Sequence, residues 1–87
     1  MRTLIAEDDV RLARQIASAL IEAGHDPVVA HDGEAALRDA ADSSFDLIVL
    51  DVGLPRMDGF EVLRRLRARH VPSRVLVRDP EAARRRR

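Results

Sequence analysis

The residues in this chain best suited to chemistry are carboxylates. Glu7, Asp8 and Asp9 follow a short apolar run, Thr3-Leu4-Ile5-Ala6, and Asp51 follows another, Leu47-Ile48-Val49-Leu50. Both groups stand where a strand would end. If the two runs pair as neighbouring strands, roughly 4.8 Å apart, the carboxylates converge at one edge of a sheet. Several carboxylates that close repel one another, so either one holds a proton or a cation sits among them. Mg2+ suits such a place, being a hard ion that takes a few carboxylate and carbonyl oxygens, several waters and a phosphate oxygen. A carboxylate beside it can attack phosphorus while the metal neutralises charge on the transferring group. The chemistry these residues point to is acceptance of a phosphoryl group on Asp51.

The elements that would position them read as an alternating series. Leu47 to Leu50 has no polar alternation, which suits a strand buried on both faces of a parallel sheet. In open α/β sheets the ligand crevice lies outside the carboxyl ends of the strands, where Asp51 stands. After the first run, Leu12, Ile16, Ala19, Leu20 and Ala23 recur at helical spacing, with Asp9 as N-cap and Gly24 as the residue after the C-cap. Pro27-Val28-Val29-Ala30 reads as a second strand. Asp32 caps a second helix with Ala36, Leu37 and Ala40 as its apolar stripe, and Asp42-Ser43-Ser44 is a polar break. The third strand is expected over Phe45 to Leu50. Pro55 and Asp58-Gly59 interrupt the chain, and Asp58-Gly59-Phe60-Glu61 has the spacing of a capping box. A third helix follows, with Val62, Leu63 and Leu66 inward, Phe60 in the core, and Arg64, Arg65, Arg67 and Arg69 outward. Pro72 ends it, and Arg74-Val75-Leu76-Val77 is a fourth strand. This βαβαβαβ pattern implies an α/β fold with a parallel sheet, right-handed crossovers and helices on both faces.

Length and composition bound the rest. The chain has 87 residues, enough for one domain of modest stability. Formal net charge is +0, and all 15 basic residues are arginine. There is no cysteine, hence no disulfide framework or thiolate chemistry. No apolar stretch approaches the ~18 residues that span a bilayer. The amino terminus meets Glu7-Asp8-Asp9 too soon for a signal peptide, so a soluble cytoplasmic protein is expected. Residues 1–77 form the expected domain and residues 78–87, ending in Arg84-Arg85-Arg86-Arg87, a basic disordered tail. No recognition helix or aromatic platform supports specific nucleic-acid binding. His25, His31 and His70 lack ligand spacing and are expected at the surface.

Three stretches together resemble the receiver domain of two-component response regulators: Leu4-Ile5-Ala6-Glu7-Asp8-Asp9, Asp46-Leu47-Ile48-Val49-Leu50-Asp51, and Leu54-Pro55-Arg56-Met57-Asp58-Gly59-Phe60-Glu61-Val62-Leu63. The resemblance covers about residues 3–77 and implies a flavodoxin-like, doubly wound sheet of order 2-1-3-4, incomplete because segments for α4, β5 and α5 are lacking. It implies Asp51 as phosphoacceptor and Glu7 and Asp8 as the acidic pair for Mg2+, with Asp9 a weaker candidate. It also implies Gly53 as the position whose backbone carbonyl completes the metal site, and a sensor histidine kinase or phosphotransfer protein as phosphoryl donor. The sequence departs from the family at two points. Val77 leads to Arg78-Asp79, where a receiver has a Thr or Ser, and there is no lysine to pair with the phosphate.

Two other readings follow from those departures. A receiver that has lost its switch would act only by protein–protein interaction, including receiver–receiver association through the exposed edge of strand four, or would be inert. A Mg2+-dependent phosphatase with an Asp nucleophile would carry a second Asp two residues on, and that residue is Gly53. The chain is therefore not expected to be an enzyme.

Overall fold

The four short runs rich in Ile, Leu and Val become strands in the computed structural model of the chain, which describes residues 1–42 and 44–79. The elements are β1 (Arg2–Ala6), α1 (Val10–Glu22), β2 (Asp26–Ala30), α2 (Gly33–Asp42), β3 (Leu47–Asp51), α3 (Gly59–Ala68) and β4 (Arg74–Arg78). All pairings are parallel and the order is β2-β1-β3-β4. Pro27, which has no N–H for a ladder, falls on β2 at one edge. The fold is the receiver-like α/β arrangement expected, with β4 the last described strand.

The two faces of the sheet are covered unequally. Leu4, Ala6, Ile48 and Leu50 point into the main core, where they meet Ala36, Leu37 and Ala40 of α2 and Val62 and Leu66 of α3. Ile5 and Val49 alternate to the other face. There α1 offers Ala13, buried, and Leu12, Ile16, Ala17 and Leu20, half-buried. Ala19 and Ala23, expected on that stripe, are exposed, because the inward line runs 13, 16, 17, 20.

Phe60 corrects a second expectation: it is 56% exposed. The inward line of α3 is Gly59, Val62 and Leu66, and Phe60 lies one step round the helix from it. Phe60→Ser is therefore expected to change unfolding free energy by no more than about 0.5 kcal/mol, checked by urea denaturation. Leu63 is half-buried against the core.

Local chemistry sets the helix ends. Asp9 Oδ1 accepts from the Leu12 N–H at 3.1 Å, Asp32 Oδ1 from Ala35 at 2.8 Å, and Asp58 Oδ1 from Glu61 at 2.9 Å. Glu61 does not complete the capping box; it pairs with Arg64 and Arg65, which together hold its carboxyl down at about 2. Helix α3 ends four residues before Pro72. His70 adopts φ 58° and donates to the Arg67 carbonyl, while Val71 donates to Leu66. That is the Schellman pattern normally built on glycine, as α1 builds it on Gly24.

Strand bounds differ from expectation in all four strands. Strands β1 and β2 each begin one residue earlier, and β3 begins at Leu47. Phe45 is buried ahead of β3, its ring 4.8 Å beneath the Arg2 guanidinium and its carbonyl accepting from Ser73 Oγ at 2.6 Å. Strand β4 runs on to Arg78, so this residue belongs to the sheet and not to a tail. The remaining tail from residue 80, including Arg84 to Arg87, and Ser43 of the polar break lie outside the described residues. No helix among the described residues is long and apolar enough to cross a membrane.

Candidate functional site

Parallel register brings the acidic groups together. Ala6 pairs with Leu50, so the next residues, Glu7 and Asp51, emerge side by side at the carboxyl edge of the sheet. The Glu7 N–H donates to the Ala30 carbonyl at 3.0 Å, which extends the β1–β2 ladder by one bond and fixes that turn. His31, the residue after β2, donates from Nδ1 to the Glu7 carbonyl at 3.0 Å. Glu7 and Asp51 are buried and Asp8 is exposed; one oxygen from each lies within 4.8 Å of the others. Asp9 is not part of this group, since its side chain caps α1.

The pocket contains a cation that sequence reasoning did not find. Arg78 Nη1 donates to Glu7 Oε1 at 2.9 Å and stands 3.6 Å from Asp51 Oδ1. Its signal in the sequence was slight: a basic residue at the end of the strand expected beside Asp51. Even so, Asp51 Oδ1 is buried with no hydrogen-bond partner. An unsatisfied buried carboxylate oxygen beside two more carboxylates is costly as it stands and suited to an oxygen-seeking cation. The all-oxygen donor set fits Mg2+, as the receiver acidic triad does.

Gly53 lies in the exposed turn two residues after Asp51. A Cβ added there would have Asp51 Oδ2 at 3.8 Å as its nearest neighbour, an ordinary contact. A Cβ would therefore fit at this position.

Electrostatics single out Glu7. Burial pushes its carboxyl above the ordinary value of 4.5, and the charge of Asp51 and a hydrogen bond with Asp8 push the same way. The Asp9 N–H and Arg78 only partly oppose this. A raised native value means that the folded chain holds this proton more tightly than the unfolded chain. This contribution to stability is thus fullest below about 4.5 and falls as pH rises through the native value. A carbon-13 NMR titration of the Glu7 carboxyl should place its midpoint above an ordinary carboxylate. Repeating it with Mg2+ should move the midpoint down, since a bound cation favours the charged form.

Known proteins share this fold. The chain matches the family model for the response regulator receiver domain over residues 3–81. It is 40% identical over 77 residues to the transcriptional regulatory protein TcrA of Mycobacterium tuberculosis, covering 88% of this chain and 30% of TcrA. It is 42% identical over 77 residues to the response regulator PmrA of Pseudomonas aeruginosa, covering 88% and 35%. The chain thus spans about a third of the length of these curated relatives. Among solved structures, the receiver domain of a Francisella response regulator superposes with TM-score 0.87 at 33% identity, over 90% of this chain and 64% of that one. TrrA of Thermotoga maritima, solved with Mg2+ and BeF, superposes with TM-score 0.89 at 25% identity, over 97% and 73%. A receiver is a signalling module and not a classical enzyme. Through that family match and the shared fold, the chain belongs to the response regulator receiver domains of two-component systems.

Proposed function

We propose that this receiver accepts a phosphoryl group on Asp51 from a phosphohistidine of a sensor histidine kinase or phosphotransfer protein, in the cytoplasm and with Mg2+. The observation that carries the reading is the buried Asp51 Oδ1, which accepts no hydrogen bond, beside Glu7 and Asp8. That oxygen has a lone pair uncommitted to any hydrogen bond. It attacks phosphorus, the phosphorus–nitrogen bond breaks with its electron pair returning to the imidazole, and Asp51 becomes an acyl phosphate. The Glu7, Asp8 and Asp51 carboxylates and the Gly53 carbonyl would hold Mg2+, which when bound offsets negative charge on the transferring group. The Mg2+ and BeF bound to TrrA, a relative of the same fold, favour this assignment.

The test needs no cognate kinase. Incubated with Mg2+ and acetyl phosphate, the chain should gain the mass of one phosphoryl group, removed by hydroxylamine, and Asp51→Asn should gain none. A folded wild-type chain that stays unmodified would end the phosphoacceptor reading.

A second reading has its own observation. Among the described residues β4 pairs with β3 alone, and Leu76 on it is exposed. Such an edge can take another strand, as in association with a second receiver. Sedimentation whose apparent mass rises with protein concentration would support it, and a monomer throughout would remove it.

A further inference from the structure

Arg78 has a place in the pocket that its sequence position does not announce. It is the register partner of Asp51, so the two side chains leave the same face of neighbouring strands. The Val52 N–H donates to the Arg78 carbonyl at 3.0 Å, which fixes the backbone from which the side chain reaches inward. Its guanidinium bonds Glu7 at 2.9 Å but stays 3.6 Å from Asp51 Oδ1, an ion pair and not a hydrogen bond. The side chains of Glu7 and Asp51 are 4% and 10% exposed, and that of Arg78 is 36% exposed. The guanidinium therefore meets two buried carboxylates while part of the Arg78 side chain stays in water.

Arginine cannot give up its proton at any ordinary pH, so this positive charge is permanent. It engages Oε1 of Glu7, one of the three carboxylates that each bring an oxygen within 4.8 Å of the others. A divalent cation among those oxygens would meet both competition for Glu7 Oε1 and repulsion from a neighbouring like charge. The flexible, half-exposed Arg78 side chain has a way out that the buried carboxylates lack.

We propose that Arg78 is the resident counter-ion of the acidic pocket. It holds Glu7 and Asp51 together while no metal is bound, and it must leave Glu7 before Mg2+ enters, so it sets how weakly this receiver binds the ion. Arg78 is on this account a positioning residue that tunes metal affinity. The inference rests on the acidic group being a Mg2+ site, and the experiment separates the two.

Mg2+ alone is titrated into wild type, Arg78→Gln and Arg78→Lys while the backbone amide shifts of Glu7, Asp8 and Asp51 are followed by NMR. Arg78→Gln should bind Mg2+ about tenfold more tightly or better, because neutral glutamine removes the competing charge. Arg78→Lys, which keeps the charge, should retain the wild-type affinity. In EDTA, Arg78→Gln should melt below wild type, and Mg2+ should close that gap. A purely structural Arg78 would lower both melts equally and leave the dissociation constant unchanged. Equal affinity in wild type and Arg78→Gln overturns the proposal while leaving the metal site standing. Absence of Mg2+ binding in both overturns the metal site and the proposal with it. Should Arg78→Gln fail to fold, the wild-type Arg78 Nε–Hε resonance decides: it must shift as Mg2+ saturates the pocket, and an unmoved resonance overturns the proposal.

Discussion

Gly59→Ala should destabilise the chain by about 1–3 kcal/mol and disturb Asp51, although the residue is the first of a helix. Helix propensity predicts the opposite sign, since alanine replacing glycine within a helix gains about 0.5–1 kcal/mol. Packing decides against propensity here. A Cβ on Gly59 would sit 2.5 Å from the Asp51 carbonyl oxygen and 3.0 Å from both its carbonyl carbon and Val52 Cα. All three are backbone atoms of the strand end that carries Asp51, and none can rotate aside. The Gly59 N–H also donates to the Val52 carbonyl at 3.1 Å, so the helix start is tied to the segment it would be pushed from. Gly33 is held the same way, its virtual Cβ 1.9 Å from the Met57 carbonyl oxygen. Gly53→Ala is the matched control: with its nearest neighbour at 3.8 Å it should be neutral or stabilising by up to about 1 kcal/mol. Thermal melts resolve the difference, because 1 kcal/mol moves the midpoint of a domain this size by about 4–8 °C. A Gly59→Ala chain that melts at or above wild type would show that the loop yields without cost.

These glycines also mark where the sequence stops being informative. The four apolar runs, the Asp9, Asp32 and Asp58 caps and the Gly24 terminus were legible because each depends on residues within a few positions of one another. The strand order was not read from spacing; it came with the receiver resemblance. Once that order holds, Glu7 and Asp51 must be neighbours, since both follow the ends of paired strands. What stayed hidden depends on contacts between distant segments. Arg78 enters the pocket only through the Asp51–Arg78 register, and the same residue read alone is a charged end to a strand. Gly59 matters through the Asp51 backbone and Gly33 through Met57. Phe60 was misplaced because apolarity was weighed above helical phase, although Val62 and Leu66 already fixed the inward line of α3. The same error put Ala19 and Ala23 on the buried side of α1.

Mg2+ should raise the thermal midpoint of the wild-type chain, and this rise should vanish in Asp51→Asn and Asp8→Asn. A ligand that binds only the folded state adds about 2.7 kcal/mol at a hundred times its dissociation constant. For a chain of this size that is a rise of roughly 10 °C or more. Far-UV circular dichroism is the natural readout, as the sequence has no Trp and no Tyr. Neither variant should lose much stability without metal. Asp8 is exposed, so Asp8→Asn should leave the metal-free melt close to wild type. Asp51 is buried beside Glu7 and ion-paired with Arg78 at 3.6 Å, so Asp51→Asn removes one repulsion and one attraction together, and its metal-free melt should stay close to wild type. Loss of the Mg2+ response in chains of near wild-type stability cannot be ascribed to misfolding. A Mg2+ response that survives in both variants would mean that the ion binds elsewhere, and that Glu7, Asp8 and Asp51 are gathered by the fold without being used.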